Sequence, residues 1–233
     1  MTTAPLLRGI SSMATRQVLA ELTAAYAASA PGAGAVQIES VGGVDAAKRV
    51  AGGEVFDVVI LASDAIDKLM AAGHLLPGSK VDWVHSGVAV AVPAGAPAPD
   101  LSTEDAVRNA VLAAPSISLS TGPSGVALAK LFERWGIAGQ IAPRMVQAPP
   151  GVPVGSLVAK GEVALGFQQL SELLHVPGIQ IVGPLPPAIQ ITTTFSAGIG
   201  ALTQQPEAAR ALLAYLASPA AAEAKCKQGM EPA

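Results

Sequence analysis

The sequence predicts an α/β fold of two lobes with a ligand cleft between them. Short apolar runs alternate with stretches of helical apolar spacing, first up to residue 85 and again from residue 86 onward, which is typical of βα units. A Pro/Ala-rich connector at 93–99 has no helical period, and an extended run at 189–199 is long enough to cross between lobes. We therefore expect lobe 1 to comprise 1–85 and 190–233 and lobe 2 to comprise 86–189, with hinge crossings near 84–92 and 186–196.

Composition limits the classes of function. A chain of 233 residues that is 51 % hydrophobic can bury a full core. The formal net charge of -3, with 13 % charged residues and no basic stripe, argues against nucleic acid as a partner. Apolar stretches end well before the roughly 20 residues of a spanning helix, so we expect a protein that does not span a membrane. The single cysteine, Cys226, excludes a disulfide within the chain.

The first residues lack the basic and apolar regions of a signal peptide. A cytoplasmic location is expected if this is the native start. If a signal peptide was removed, the expected location is periplasmic.

In the first lobe, three predicted strands each lead into a helix. The strands are 6–10, 36–38 and 56–61, and the helices follow Ser11-Ser12, Gly42-Gly43 and Ser63. Apolar residues at helical spacing mark the buried faces of these helices. Gly52-Gly53 and Gly73 end the second and third helices.

In the second lobe, an apolar strand at 86–93 precedes a helix that starts near Ser102 and runs to Ala113. The strand 117–119 then leads through Ser120–Val126 into another helix, with Ser124 as a candidate N-cap. The remaining predicted elements are a strand near Met145, a helix start at Gly155, a strand at 163–167, a short helix with Ser171 and Glu172, a strand at 179–182, the extended run at 189–199, and two Ala-rich helices within 206–229 that break at Ser218-Pro219.

Ligands of open α/β sheets bind at the carboxyl ends of strands, where helix starts present unpaired N–H groups to anions. Here those ends carry mostly hydroxyls, amides and glycines, so we predict a small anionic ligand, an organic acid or an oxyanion, bound between the lobes. The candidate binding residues are Ser11, Ser12, Arg16, Ser40, Gly42, Gly43, Ser63, Thr121, Ser124, Gly125, Val126, Val154, Gly155, Ser156, Gln168 and Gln169.

The sequence lacks the motifs of dinucleotide binding, phosphate binding by a P-loop, serine hydrolysis and zinc binding. The chain has no G-x-G-x-x-G after a strand, no phosphate-binding P-loop and no G-x-S-x-G elbow. The three histidines, His74, His85 and His175, lie far apart without ligand spacing. We therefore predict no metal and no cofactor.

Several motifs resemble the type II periplasmic binding proteins, and most closely the molybdate-binding family. The matching pieces are Gly9-Ile10-Ser11-Ser12-Met13, Phe56-Asp57-Val58-Val59 with Ser63, and Gly161-Glu162-Val163-Ala164-Leu165-Gly166-Phe167. The resemblance implies that first-lobe serines and second-lobe helix amides hold a tetrahedral oxyanion. The residues so implicated are Ser12, Gly43, Ser124, Gly125 and Ser156.

The departures from that family favour a larger organic acid. Gly42-Gly43 stands where the family has a serine pair, Gln169 replaces its tyrosine, and Glu172 replaces its aspartate. The loss of the serine hydroxyls leaves more space for a ligand, and the added amide of Gln169 suits a planar carboxylate. The segments 122–125, 149–156 and 167–172 are similar to an aconitate isomerase branch of the family, which implies an isomerase that moves a C=C bond in a tricarboxylic acid.

An allylic proton shift needs a group that removes a proton and returns it one carbon away. Glu39, Asp45, Asp64 and Glu172 lie near strand ends, and each is alternatively a cap or a helix-dipole partner. We name Glu172 and Glu39 as candidate bases. Arg16 and Lys48 are candidates for neutralising a polycarboxylate, although the helix face of Lys48 favours a solvated role.

The alternative is a solute-binding protein of an ABC transporter, for molybdate or another oxyanion or organic acid, without catalysis. In that case a membrane permease is the expected partner.

Overall fold

The computed structural model describes residues 6–29, 34–149 and 151–233, and the chain divides into two compact units. The first unit contains the described residues up to His85 together with Thr194–Ala233, and the second is Ser86–Thr193. Both are built from alternating strands and helices.

The chain up to residue 93 alternates strands with helices, and its last strand continues from the first unit into the second. The elements are β1 (Leu7–Ser12), α1 (Arg16–Ser29), β2 (Val36–Val41), α2 (Gly43–Ala51), β3 (Val58–Ala62), α3 (Ser63–Ala71) and β4 (Val81–Pro93).

The rest of the second unit follows, and the chain returns to the first unit along β8. These elements are α4 (Glu104–Ala113), β5 (Ile117–Leu119), α5 (Pro123–Arg134), α6 (Ala138–Ile141), α7 (Val154–Ala159), β6 (Leu165–Gln169), α8 (Leu170–Leu173), β7 (Ile179–Pro184), β8 (Thr192–Ile199), α9 (Pro206–Ala217), α10 (Ala222–Lys227) and β9 (Met230–Pro232).

In the first unit, β1 pairs in parallel with β2 and β3, and β3 pairs antiparallel with β8. Every residue of β3 is buried because the sheet is covered on both faces. Val58 and Ile60 join one core cluster, whereas Val59 and Leu61 join the other. This alternation explains why the strand reads as an unbroken apolar run. The parallel register brings the carboxyl ends of β1, β2 and β3 to one edge.

In the second unit, β6 lies between β4 and β5, antiparallel to the first and parallel to the second. One face of this sheet packs against α4 and α5, where Phe132 meets Phe167 edge to face with ring centroids 5.9 Å apart. The other face packs against α7 and α8 through Val154, Val158 and Leu173. The last two residues of β6 are Gln168 and Gln169, both buried.

Several predicted boundaries were wrong. Strand β4 begins at Val81 rather than at Ser86. The predicted strand near Met145 is a single bridge to Ile117. Helix α4 is capped by Thr103, whose Oγ1 accepts the Ala106 N–H at 3.1 Å, and not by Ser102.

The extended run at 189–199 is interrupted at its start. A 3-10 turn at Pro187–Ile189 precedes β8, because proline has a fixed φ and no N–H to donate to a ladder. In the tail, the break between the two helices falls at Ser218 and Pro219, as predicted. Strand β9 was not predicted; it pairs with β4. No helix among the described residues is both long and apolar enough to cross a membrane.

Candidate functional site

A cluster of serines lies at the carboxyl edge of the first unit's sheet. The parallel register places Ser11 beside Ser40, and their hydroxyl oxygens are 2.7 Å apart. The next residue, Ser12, caps a short 3-10 turn by accepting the Ala14 N–H at 3.4 Å, and its carbonyl accepts from Thr15 Oγ1 at 3.0 Å. The structure therefore brings Ser11, Ser12 and Ser40 together.

Helix α2 starts beside this cluster with two glycines, which have no side chains. Gly42 is its N-cap residue and Gly43 its first residue. A Cβ added at Gly43 would lie 3.6 Å from Ser12 Oγ, so the unpaired N–H groups of this helix start lie near the Ser12 hydroxyl. Ser63 and Arg16 are the first residues of α3 and α1.

The contacts of Glu39 favour a surface ion pair over a role as a base. Its side chain is 51 % exposed and accepts two hydrogen bonds from Arg49, at 2.7 and 2.9 Å. Arg49 also binds Glu54, at 2.6 and 2.7 Å. The Arg49 guanidinium lowers the pKa of Glu39, and a carboxylate held this way is a poor proton acceptor. Glu39 belongs to a surface ion-pair network.

In the second unit, the loop between β5 and α5 is built by a close approach of backbone. A Cβ at Gly125 would lie 1.7 Å from the carbonyl oxygen of Ser120, so only glycine fits. The hydroxyls of Ser120 and Ser124 are 3.0 Å apart, and Ser124 is buried. Thr121 is exposed at the tip of this loop.

The proposed N-cap role of Ser124 was wrong. Helix α5 is capped by Gly122 with Pro123 at its first position, which places Ser124 and Gly125 in the first turn. N–H groups in a first turn have no partner within the helix and suit an anionic ligand. Val126 instead donates its N–H to the Gly122 carbonyl at 3.2 Å, so its amide is already used.

At the start of α7 two of the three predicted amides are used internally. The Ser156 N–H donates to the Pro153 carbonyl at 3.0 Å. The Gly155 N–H donates to Gln168 Oε1 at 3.0 Å. Val154, the first residue of this helix, remains a candidate for ligand binding through its N–H.

Gln168 and Gln169 form hydrogen bonds with different partners, because successive side chains of a strand point to opposite faces of the sheet. The Gln168 Nε2 donates to Glu172 Oε1 at 2.9 Å. Burial raises the pKa of Glu172 to about 7, and the hydrogen bond from Gln168 offsets part of that rise. A carboxyl with this pKa is divided between its two protonation states near neutral pH.

The Gln169 side chain forms hydrogen bonds with residues of two other strands, β4 and β8. In the orientation that pairs every donor with an acceptor, its amide nitrogen donates to the Ser86 carbonyl at 2.9 Å and the Ser86 hydroxyl at 2.8 Å. Its oxygen accepts from Thr193 Oγ1 at 2.8 Å. These contacts favour a role for Gln169 in holding the strands together.

The contacts of two residues at the site, Ser120 and Ser171, were not predicted. Ser120 supports Ser124, and its position at the end of a buried strand was the available signal. Ser171 is buried beside Glu172, and its hydroxyl has no hydrogen-bond partner among the described residues. Nothing in the sequence separates this serine from an ordinary helix residue.

Solved structures share the fold. The chain superimposes on a periplasmic molybdate-binding protein from Azotobacter vinelandii with a TM-score of 0.79 and 22 % identity, covering 96 % of this chain and 98 % of that one. A sulfate-binding protein from Mycobacterium tuberculosis H37Rv gives 0.79 at 17 % identity over 97 % and 86 % of the two chains. A tungstate-binding protein from Desulfovibrio alaskensis G20 gives 0.68 at 15 % identity over 99 % of each.

The sequence is also similar to an aconitate isomerase from a Pseudomonas species. The two are 46 % identical over 187 residues, which cover 79 % of this chain and 70 % of that protein. The family model for bacterial extracellular solute-binding proteins matches residues 7–231. The predicted two-lobed α/β class and the predicted resemblance are confirmed, and the chain belongs to the bacterial extracellular solute-binding protein family.

Proposed function

We propose that this protein binds aconitate and moves its double bond, with Glu172 as the group that carries the proton. The observation that supports this most strongly is the 46 % identity to an aconitate isomerase. The structure adds a half-buried carboxyl, that of Glu172, whose pKa is raised to about 7 by desolvation. General acid–base catalysis is most efficient when the pKa of the group lies near the working pH.

The reaction requires no net change in atoms or electrons. The base takes a proton from the methylene carbon next to the double bond, and the electron pair of that C–H bond forms the new C=C bond. The old π pair then takes a proton at the far carbon of the allyl unit. This regenerates aconitate with its double bond on the other side, so the cis and trans isomers interconvert and Glu172 ends as it began.

Each unit offers neutral donors for carboxylates. The first unit contributes the hydroxyls of Ser11, Ser12 and Ser40, and the second contributes first-turn amides of Ser124, Gly125 and Val154. Such groups bind carboxylate oxygens through hydrogen bonds that are stronger than neutral ones. A strand end or a helix start holds each group in place, so little conformational freedom is lost when a ligand binds.

Both isomers of aconitate are expected to raise the melting temperature of the protein. A ligand that binds only the folded state stabilises it by about 2.7 kcal/mol at a hundredfold excess over its Kd. Differential scanning fluorimetry with cis-aconitate, trans-aconitate, acetate and ATP measures this, with acetate and ATP as controls. A shift with ATP or acetate equal to that with aconitate would contradict tricarboxylate recognition.

A second candidate is solute binding without catalysis, which membership of the solute-binding family supports. In that case the ligand is molybdate, another oxyanion or an organic acid, and the partner is a membrane permease. A melting shift with molybdate or tungstate and none with aconitate would favour this candidate.

A further inference from the structure

We infer that Gln168 is a positioning residue that holds Glu172 through one carboxyl oxygen, Oε1, and so leaves the other oxygen, Oε2, to carry the exchangeable proton. The catalytic meaning of this inference rests on the proposed function. The hydrogen-bond arrangement itself does not, and it can be measured in the ligand-free protein.

The orientation of the Gln168 amide follows from its partners. The Gly155 N–H can only donate, so the amide atom that it meets at 3.0 Å is the oxygen. The amide nitrogen therefore faces Glu172, and an NH₂ group can only donate. Glu172 Oε1, at 2.9 Å from that nitrogen, is the acceptor in both protonation states. A proton on Glu172 is thus confined to Oε2.

Packing holds both Gln168 and its partner Gly155 in place. Gln168 is 3 % exposed and lies in the central strand of its unit, with Ala89 as its partner on β4. Gly155 is packed so tightly that an added Cβ would lie 3.1 Å from both Leu173 and Val176. The start of α7 therefore sits against α8, and the Gly155 N–H is fixed in front of Gln168.

The same bond sets how far burial can raise the pKa of Glu172. A donated hydrogen bond favours the ionised carboxylate, whereas burial favours the neutral acid. Burial is the larger of these influences on Glu172 and raises its pKa, whereas the hydrogen bond from Gln168 lowers it. Without Gln168 the pKa of Glu172 would rise further, and the proton would be shared between two oxygens.

The test replaces Gln168 with an apolar side chain of similar length, Gln168→Met. The matched control is Gln190→Met, since Gln190 lies in the same unit and its oxygen accepts two backbone N–H groups, from Val88 at 3.2 Å and Ile191 at 2.8 Å. Glutamate labelled with ¹³C at the side-chain carboxyl reports the pKa of Glu172 by NMR in the ligand-free protein. The Glu172 signal is identified by its loss in Glu172→Gln.

We expect Gln168→Met to raise the pKa of Glu172 by about one unit and to shift the acidic limb of the kcat/KM profile for aconitate equally. Gln190→Met should leave both unchanged. An unchanged pKa in folded Gln168→Met overturns the inference. If that variant does not fold, Gln168→Glu replaces it, and the two adjacent carboxyls should then titrate as a coupled pair with one pKa raised.

The failures of the two proposals are distinguishable. A raised pKa in Gln168→Met, in a protein that does not isomerise aconitate, supports the positioning role and overturns the proposed function. If the wild type isomerises aconitate but the pKa of Glu172 is the same in Gln168→Met as in the wild type, the proposed function is supported and the positioning role is overturned.

Discussion

Glu172→Gln is expected to lower kcat for aconitate isomerisation by about 10²–10⁴-fold while leaving ligand binding intact. The introduced amide has the shape of the carboxyl and can still accept the hydrogen bond from Gln168 through its oxygen, but it cannot take up a proton. Initial rates and calorimetric Kd values for cis-aconitate measure the two effects. The matched control is Glu162→Gln, an exposed carboxyl of the same unit. Equal rates in the two variants would exclude Glu172 as the proton carrier.

Glu172→Gln is also expected to change how the melting temperature depends on pH. Burial raises the pKa of Glu172 to about 7 from the ordinary value of 4.5, so the folded state binds this proton more tightly than the unfolded state does. The stability contributed by the proton is complete below the unfolded pKa and is lost as the pH rises through 7. Glu172→Gln should therefore melt higher than the wild type at pH 8, with a smaller difference at pH 5.

Gly125→Ala is expected to destabilise the protein by about 3 kcal/mol or more and to remove the melting shift with aconitate. The added methyl group would lie 1.7 Å from the Ser120 carbonyl oxygen, so the loop must open and the first turn of α5 must move. The matched control is Gly139→Ala in α6, where an added Cβ meets nothing within 4 Å. Chemical denaturation measures both. A Gly125→Ala variant as stable as Gly139→Ala would contradict the close approach.

Much of the fold could be predicted because it depends on local pattern. The unbroken apolar run of β3 requires burial on both faces, and the sheet supplies it. The break in the tail could be placed because Pro219 has no N–H to continue a helix. Neighbouring cap residues were harder to separate, since Ser102 and Thr103 have equivalent chemistry and only the backbone conformation selects Thr103.

The site was less predictable because its contacts join distant segments. The sequence places Gln168 and Gln169 at a strand end, but their roles separate only when one meets Glu172 and the other meets Ser86 and Thr193. Glu39 looked equivalent to Glu172 as a carboxyl near a strand end. Its pairing with Arg49 depends on how α2 packs beside β2, which apolar spacing does not reveal.

Proton NMR of cis-aconitate incubated with the protein in deuterated water gives the decisive result. The proposed function predicts that trans-aconitate appears with the wild type, that deuterium enters its carbon-bound positions as Glu172 exchanges with solvent, and that Glu172→Gln stops the conversion. Tight binding of cis-aconitate by the wild type, with no interconversion over hours, would contradict the isomerase and leave a carboxylate-binding protein.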